Sequence, residues 1–222
     1  MSKSFIFPHT QRRLRRGSLH QTVLALVLGF LAYEALRFYV QDVGHFVLDY
    51  SEPSWGRLWP RRFWLLLHMA GATLALFCGP FQLWSGLRRR HLLIHRWTGR
   101  LYVGGVLVGG ATAFYLSFYT PPRSFGVALF GLATAWWFTV GMALLAIKRH
   151  RIEAHIEDHK EWMIRGYVVT FSFVTFRWWL GLPLWSSLGS ARLATVLWLS
   201  WVVPLLLTEV LLRWRGTIGR RR

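Results

Sequence analysis

Of 222 residues, only one is cysteine and only nine are Asp or Glu, against 27 Lys and Arg. A single thiol, Cys78, lying inside an apolar run, excludes internal disulfides, cysteine-built zinc sites, iron–sulfur clusters and covalent c-type haem attachment. Any cofactor must be held by His, carboxylate or backbone. The scarcity of acids also leaves few carboxylates for coupling ions to transport. Charged residues of all kinds make up 16% of the chain, below the roughly 25% of an ordinary soluble domain. There is no long linker, no low-complexity tract and no strong recurrence of the first half in the second, so the sequence is one domain over 1–222. No Ser-His-Asp, nucleotide-binding or P-loop arrangement is visible.

What is abundant is apolar: 54% of residues are hydrophobic and 14 are Trp. Six runs, roughly 20–40, 63–86, 98–119, 125–147, 163–183 and 191–212, are each near the ~20 residues that cross a ~30 Å hydrocarbon layer. Lipid offers the backbone no hydrogen bonds, so these solid runs are helices rather than strands, which would alternate. The predicted fold is all-α, a polytopic bundle of six transmembrane helices. Four clusters of five, twenty of the 27 basic residues, fall in the N-terminal arm (1–19), the second loop, the fourth loop and the tail (213–222). With six spans all four lie on one side, which places both termini in the cytoplasm. The opposite face holds Asp42, Asp49 and Glu52 with Trp55, Trp59 and Trp64 as an interfacial belt. The net charge of +18 is split by apolar spans, so it points to acidic phospholipid and not to nucleic acid. The basic arm and first apolar run lack a small-x-small cleavage site, so they read as an uncleaved first span.

Polar residues recur at helical spacing inside these runs. His68, Ala72, Ala75, Gly79 and Gln82, at offsets of 0, 4, 7, 11 and 14, share one face at about 100° per residue. Small residues there admit a close neighbour, and Pro80 should kink the helix and free a carbonyl. His159, Gly166, Thr170 and Arg177 share a face of the fifth run. The 18 residues between His159 and Arg177 span about 27 Å, which predicts an inner layer near His159 and Gln82 and an outer layer near His68 and Arg177. Arg177 needs a partner at depth. Glu34 is the best carboxylate for it, although Glu34 can equally pair locally with Arg37 at i+3. Gly105 and Gly109 form a small-xxx-small surface on the third run, and Glu209 with Arg213 at i+4 reads as an interfacial pair.

The stretch HLLIHRWTGRLY, residues 91–102, places His91 and His95 four apart, as HIEDH does His155 and His159. Imidazole is the usual protein ligand of haem b and suits several transition metals. The competing reading is a basic edge solvated among headgroups. With only His68 inside a span at the outer level, and His45 in a loop, the pattern accommodates a single inner haem at most. Asp42, His45, Asp49 and Glu52 read as a solvated helix face.

The runs LHMAGATLALFCGPFQ, HLLIHRWTGRLYVGGVLVGG and HKEWMIRGYVVTFSFVTFRWWL resemble a family of bacterial predicted membrane proteins, domain of unknown function 2306. The likeness covers about residues 63–185. Its ordered motifs are Gly-Pro-x-Gln, His-Arg-x-x-Gly-Arg and Glu-Trp-Met-Ile-Arg. On matching positions they correspond to His68, Gly79, Pro80, Gln82, His95, Arg96, Gly99, Arg100, His159, Trp162, Arg165 and Arg177. The resemblance implies a multi-pass protein of the bacterial cytoplasmic membrane and implies no chemistry. His155 falls outside the pattern, which leaves His95 and His159 as the better ligand pair. The leading expectation is a haem b electron-transfer protein with His95 and His159 as axial or metal ligands, Arg165 and Arg100 facing the propionates, and His68 with Arg177 as an outer polar site. One alternative is a transport or lipid-handling path lined by Gln82, Thr170, Arg177 and Glu34. Another is a non-catalytic subunit that binds a membrane protein partner or a second copy of the chain.

Overall fold

A computed structural model describes residues 8–40, 58–84, 91–148 and 153–219, with side chains described over 22–40, 58–84, 91–148 and 156–214. Among the described residues the chain is all-helical, without a strand. The helices are α1 (Pro8–Phe38), α2 (Arg62–Leu83), α3 (Leu92–Ser117), α4 (Arg123–Lys148), α5 (Glu153–Leu180) and α6 (Arg192–Gly219). Short 3-10 segments, Trp59–Arg61 and Pro183–Ala191, precede α2 and α6.

Among the described residues three stretches, Trp59–Leu83, Arg123–Lys148 and Pro183–Trp214, are long and apolar enough to cross a membrane. These contain α2, α4 and most of α6. At 31, 26 and 28 residues, α1, α3 and α5 have the length, but their composition is more mixed. α1 includes the basic arm, α3 carries a run of glycines, and α5 begins with the polar segment EAHIEDHKE. Helix also continues beyond the expected apolar runs: α1 starts at Pro8, α3 at Leu92 and α5 at Glu153. Lys, Arg and Glu are good helix formers, and backbone bonding does not stop where hydrophobicity does. The outer-loop group Asp42, His45, Asp49, Glu52 and Trp55, the arginines at 88–90 and the side chain of His155 lie outside the described residues.

Packing begins where side chains are smallest. A Cβ on Gly71 of α2 would come within 2.7 Å of the Gly109 nitrogen and 2.8 Å of the Gly105 oxygen on α3. Only glycine lets the two backbones meet this closely. Ala72 and Ala75 lie buried beside this contact, so the expected small-residue face of α2 is the face that receives α3. Around it, Tyr102 and Val106 of α3, Trp136 and Val140 of α4, and Met163 and Val169 of α5 close the central core. α1 joins through Leu31 against Leu76 and Val174, and α6 through Ala194 and Leu197 against Ala128.

α5 packs against α2, α4 and α6, and it repairs the two helices that contain an internal proline. Proline has no N–H, so the carbonyl four residues earlier loses its helical donor. For Pro80 of α2 that carbonyl is Leu76, and the Tyr167 hydroxyl donates to it at 3.3 Å. For Pro204 of α6 it is Ser200, and the Thr175 hydroxyl donates to it at 2.7 Å. Gly79 makes the first contact possible, because a Cβ there would lie 2.0 Å from the Tyr167 ring. α2 remains helical through Pro80 to Leu83.

Candidate functional site

A cavity of about 280 Å³ runs from the level of Thr170 to the helix ends near Leu58, Thr120 and Arg177. Its walls are mainly apolar, and the polar groups on them come from separate helices: His68 from α2, Trp136 from α4, and Thr170, Ser172 and Arg177 from α5. His68 keeps part of its surface accessible because it borders this cavity. Its Nδ1 lies 2.7 Å from the Gly109 carbonyl oxygen. A carbonyl only accepts, so Nδ1 carries the proton, and in the neutral imidazole Nε2 is left as an acceptor.

Arg177 borders the same cavity and lies within electrostatic reach of His68. Its Nη1 donates to the Phe173 carbonyl at 2.6 Å. The guanidinium carbon sits 3.8 Å from the Phe38 ring centre and 4.0 Å from that of Phe173. Two aromatic faces therefore stabilise a charge that hydrocarbon alone would penalise. Glu34 is buried and pairs with Arg37 at 3.7 Å, the local arrangement of the two open in the sequence.

Below the cavity, Thr170 organises the core. Its Oγ1 donates its single hydrogen to the Gly166 carbonyl at 2.9 Å. That leaves its lone pairs for the Trp136 Nε1–H at 2.7 Å and the Tyr102 hydroxyl at 3.0 Å. All three side chains are buried, and the hydroxyl of Thr170 has its full complement of partners.

At the other end of α2, Gln82 Nε2 donates to the His95 carbonyl at 3.0 Å and to Thr98 Oγ1 at 2.5 Å. A Cβ on Gly99 would come 3.0 Å from Gln82 Oε1. Gln82 thus clamps the first turns of α3. His159 Nδ1 lies 2.8 Å from the Ala143 carbonyl of α4, which assigns its proton as for His68. Arg165 is bound to Glu209 of α6 and lies 3.4 Å from Glu161, with its guanidinium 4.8 Å from the Trp162 ring centre. Arg100 is exposed, 4.9 Å from the Trp97 ring centre. Among the described residues no three His, Cys, Asp or Glu side chains converge as a metal site.

The structure brings together His68, Thr170 and Arg177 around one cavity. It gives Gln82, His159, Arg165, Arg100 and Glu34 separate neighbours. Sequence reasoning missed Tyr102, Trp136, Ser172 and the Arg165–Glu209 pair. Among the ring contacts of the cavity, the Phe173–Arg177 pair, at i and i+4, carries a local sequence signal.

A family model described as predicted membrane protein, DUF2306, matches residues 65–212. No curated protein and no solved structure matches the chain.

Proposed function

We propose that this chain, which belongs to the DUF2306 family of predicted membrane proteins, crosses the bacterial inner membrane six times with both termini cytoplasmic and binds a membrane-dissolved small molecule in the cavity of His68 and Arg177. Four basic clusters on one side of six spans support the topology. The observation that carries the binding reading is the convergence of His68, Ser172 and Arg177 on a mainly apolar cavity. Ligand sites have this form, apolar walls with a few placed polar groups. Transport or lipid handling is the class of activity that such a site serves.

Two measurements test the proposal. Single cysteines at Ser2, Ser51 and Thr217 in a Cys78→Ser background should label from the inside, outside and inside respectively; any other pattern overturns the topology. A diazirine-bearing fatty alcohol should label peptides of α2 to α5 in the wild type and not in Ala133→Phe, which fills the cavity. Equal labelling of both folded proteins overturns cavity binding.

A second reading, haem b held by His95 and His159 with Arg165 and Arg100 near the propionates, is favoured by one observation. The His159 Nδ1 proton is held by a backbone carbonyl, the arrangement that orients Nε2 in metal-ligating histidines. The detergent-purified protein should then show a Soret band with reduced α and β bands, lost in His159→Ala. A colourless, metal-free protein overturns this reading and leaves the stretch at 91–102 as a basic membrane edge.

A further inference from the structure

The walls and the hydrogen-bonding groups of the cavity together select among membrane-dissolved molecules. An engineered cavity of about 150 Å³ holds one benzene ring, so about 280 Å³ takes one substituted ring and excludes a porphyrin. Five aromatic side chains, Phe38, Phe125, Trp136, Phe173 and Phe176, line it. Flat aromatic surfaces favour a ring through offset and edge contacts, an advantage a saturated chain does not share.

The polar groups narrow the class further. With the Nδ1–H of His68 committed to the Gly109 carbonyl, the neutral ring can only accept at Nε2, so the ligand must bring an O–H donor to it. Arg177 has donors only, so a ligand oxygen placed beside it acts as an acceptor. A fatty acid carboxylate has acceptors alone and leaves Nε2 without a donor, and burying a polar group without its partner is costly. A fully oxidised quinone has the same deficit. A ring with a hydroxyl at one position and a second oxygen elsewhere satisfies both groups.

We infer that the cavity is a quinol site: the ring lies among the aromatic walls, one hydroxyl donates to His68 Nε2, and the other oxygen accepts from Arg177. The inference rests on the cavity-binding reading and gives the ligand its chemical class. It concerns binding of the reduced ring and involves no electron transfer by the protein.

The test uses the full chain in detergent, held anaerobic, with duroquinol, duroquinone and decanoate as probes of binding by thermal shift and tryptophan fluorescence. The expected order is duroquinol tightest, duroquinone about tenfold weaker for the loss of one hydrogen bond in an apolar site, and decanoate weakest. His68→Leu should remove the preference of the reduced ring over the oxidised one, while Arg177→Gln should weaken both. If either variant fails to fold by circular dichroism, the order measured on the wild type decides alone. Decanoate binding as tightly as duroquinol overturns the quinol assignment and leaves cavity binding standing. Absence of binding by all three probes, together with equal photolabelling of wild type and Ala133→Phe, overturns both.

Discussion

Thr175→Val tests whether α5 satisfies the carbonyls that proline frees in its neighbours. The substitution keeps the shape of the side chain and deletes the hydroxyl that donates to the Ser200 carbonyl at 2.7 Å. With Pro204 four residues later, that carbonyl has no helical N–H to take its place, and Ser200 is fully buried. A hydrogen bond lost in these circumstances costs about 1–2 kcal/mol, with interhelical bonds in membranes averaging nearer 0.6 kcal/mol. In a Pro204→Ala background the residue-204 N–H can return to Ser200, so Thr175→Val should cost almost nothing. The double-mutant cycle should therefore give a coupling of about 1 kcal/mol between residues 29 positions apart.

The same cycle on Tyr167→Phe and Pro80→Ala should give a smaller coupling, because the Tyr167 bond to Leu76 is 3.3 Å long. Unfolding of the four proteins in mixed micelles by increasing denaturing detergent measures both. Equal costs of Thr175→Val with Pro204 intact and in the Pro204→Ala background would refute the reasoning.

Three further outcomes follow from the packing. Gly71→Ala drives a methyl to within 2.7 Å of α3 backbone and should cost about 3 kcal/mol, whereas Gly104→Ala, with nothing within 4 Å, should be neutral or gain up to about 1 kcal/mol; thermal unfolding in detergent compares them. Thr170→Val strands Trp136 Nε1–H and the Tyr102 hydroxyl in the core and should cost about 1–3 kcal/mol, read by unfolding and by the tryptophan near-UV dichroism. Arg165→Met and Glu209→Gln should be non-additive, the double variant losing little more than either single one, since the two side chains hold each other across α5 and α6.

The fold was legible where it depends on local pattern. Helix positions follow from the length and solidity of the apolar runs, and the face of α2 bearing Ala72 and Ala75 follows from small residues at helical spacing. The freed carbonyl under Pro80 is equally a local consequence of proline. What periodicity does not contain is the identity of the neighbour. Tyr167 and Thr175 look like ordinary members of an apolar helix until α5 is placed between α2 and α6. Trp136 stands among apolar aromatics with no polar spacing to mark it. Glu209 has a basic residue, Arg213, at i+4 whose charge acts on it, and its carboxylate also bonds Arg165 on α5. For Glu34 the local reading with Arg37 is the arrangement found. The difference is physical: sequence separation of three or four marks which side chains can meet within a helix, while long-range pairing depends on helix rotation and depth.

The resemblance motifs divide along the same line. Gly79 makes room for the Tyr167 ring, Pro80 frees the carbonyl that Tyr167 takes, Gln82 ties α2 to the start of α3, and Gly99 admits Gln82. Each of these residues has a complete explanation in helix packing, so their presence in a motif is no argument for chemistry at that end of the bundle. His68 and Arg177 differ from them. One ring nitrogen of His68 is anchored to α3, the rings of Phe38 and Phe173 and the Phe173 carbonyl hold Arg177, and both side chains also border the cavity. On the proposed reading, the hydrogen-bonding oxygens of a bound molecule offset the cost of placing histidine and arginine beside an apolar cavity.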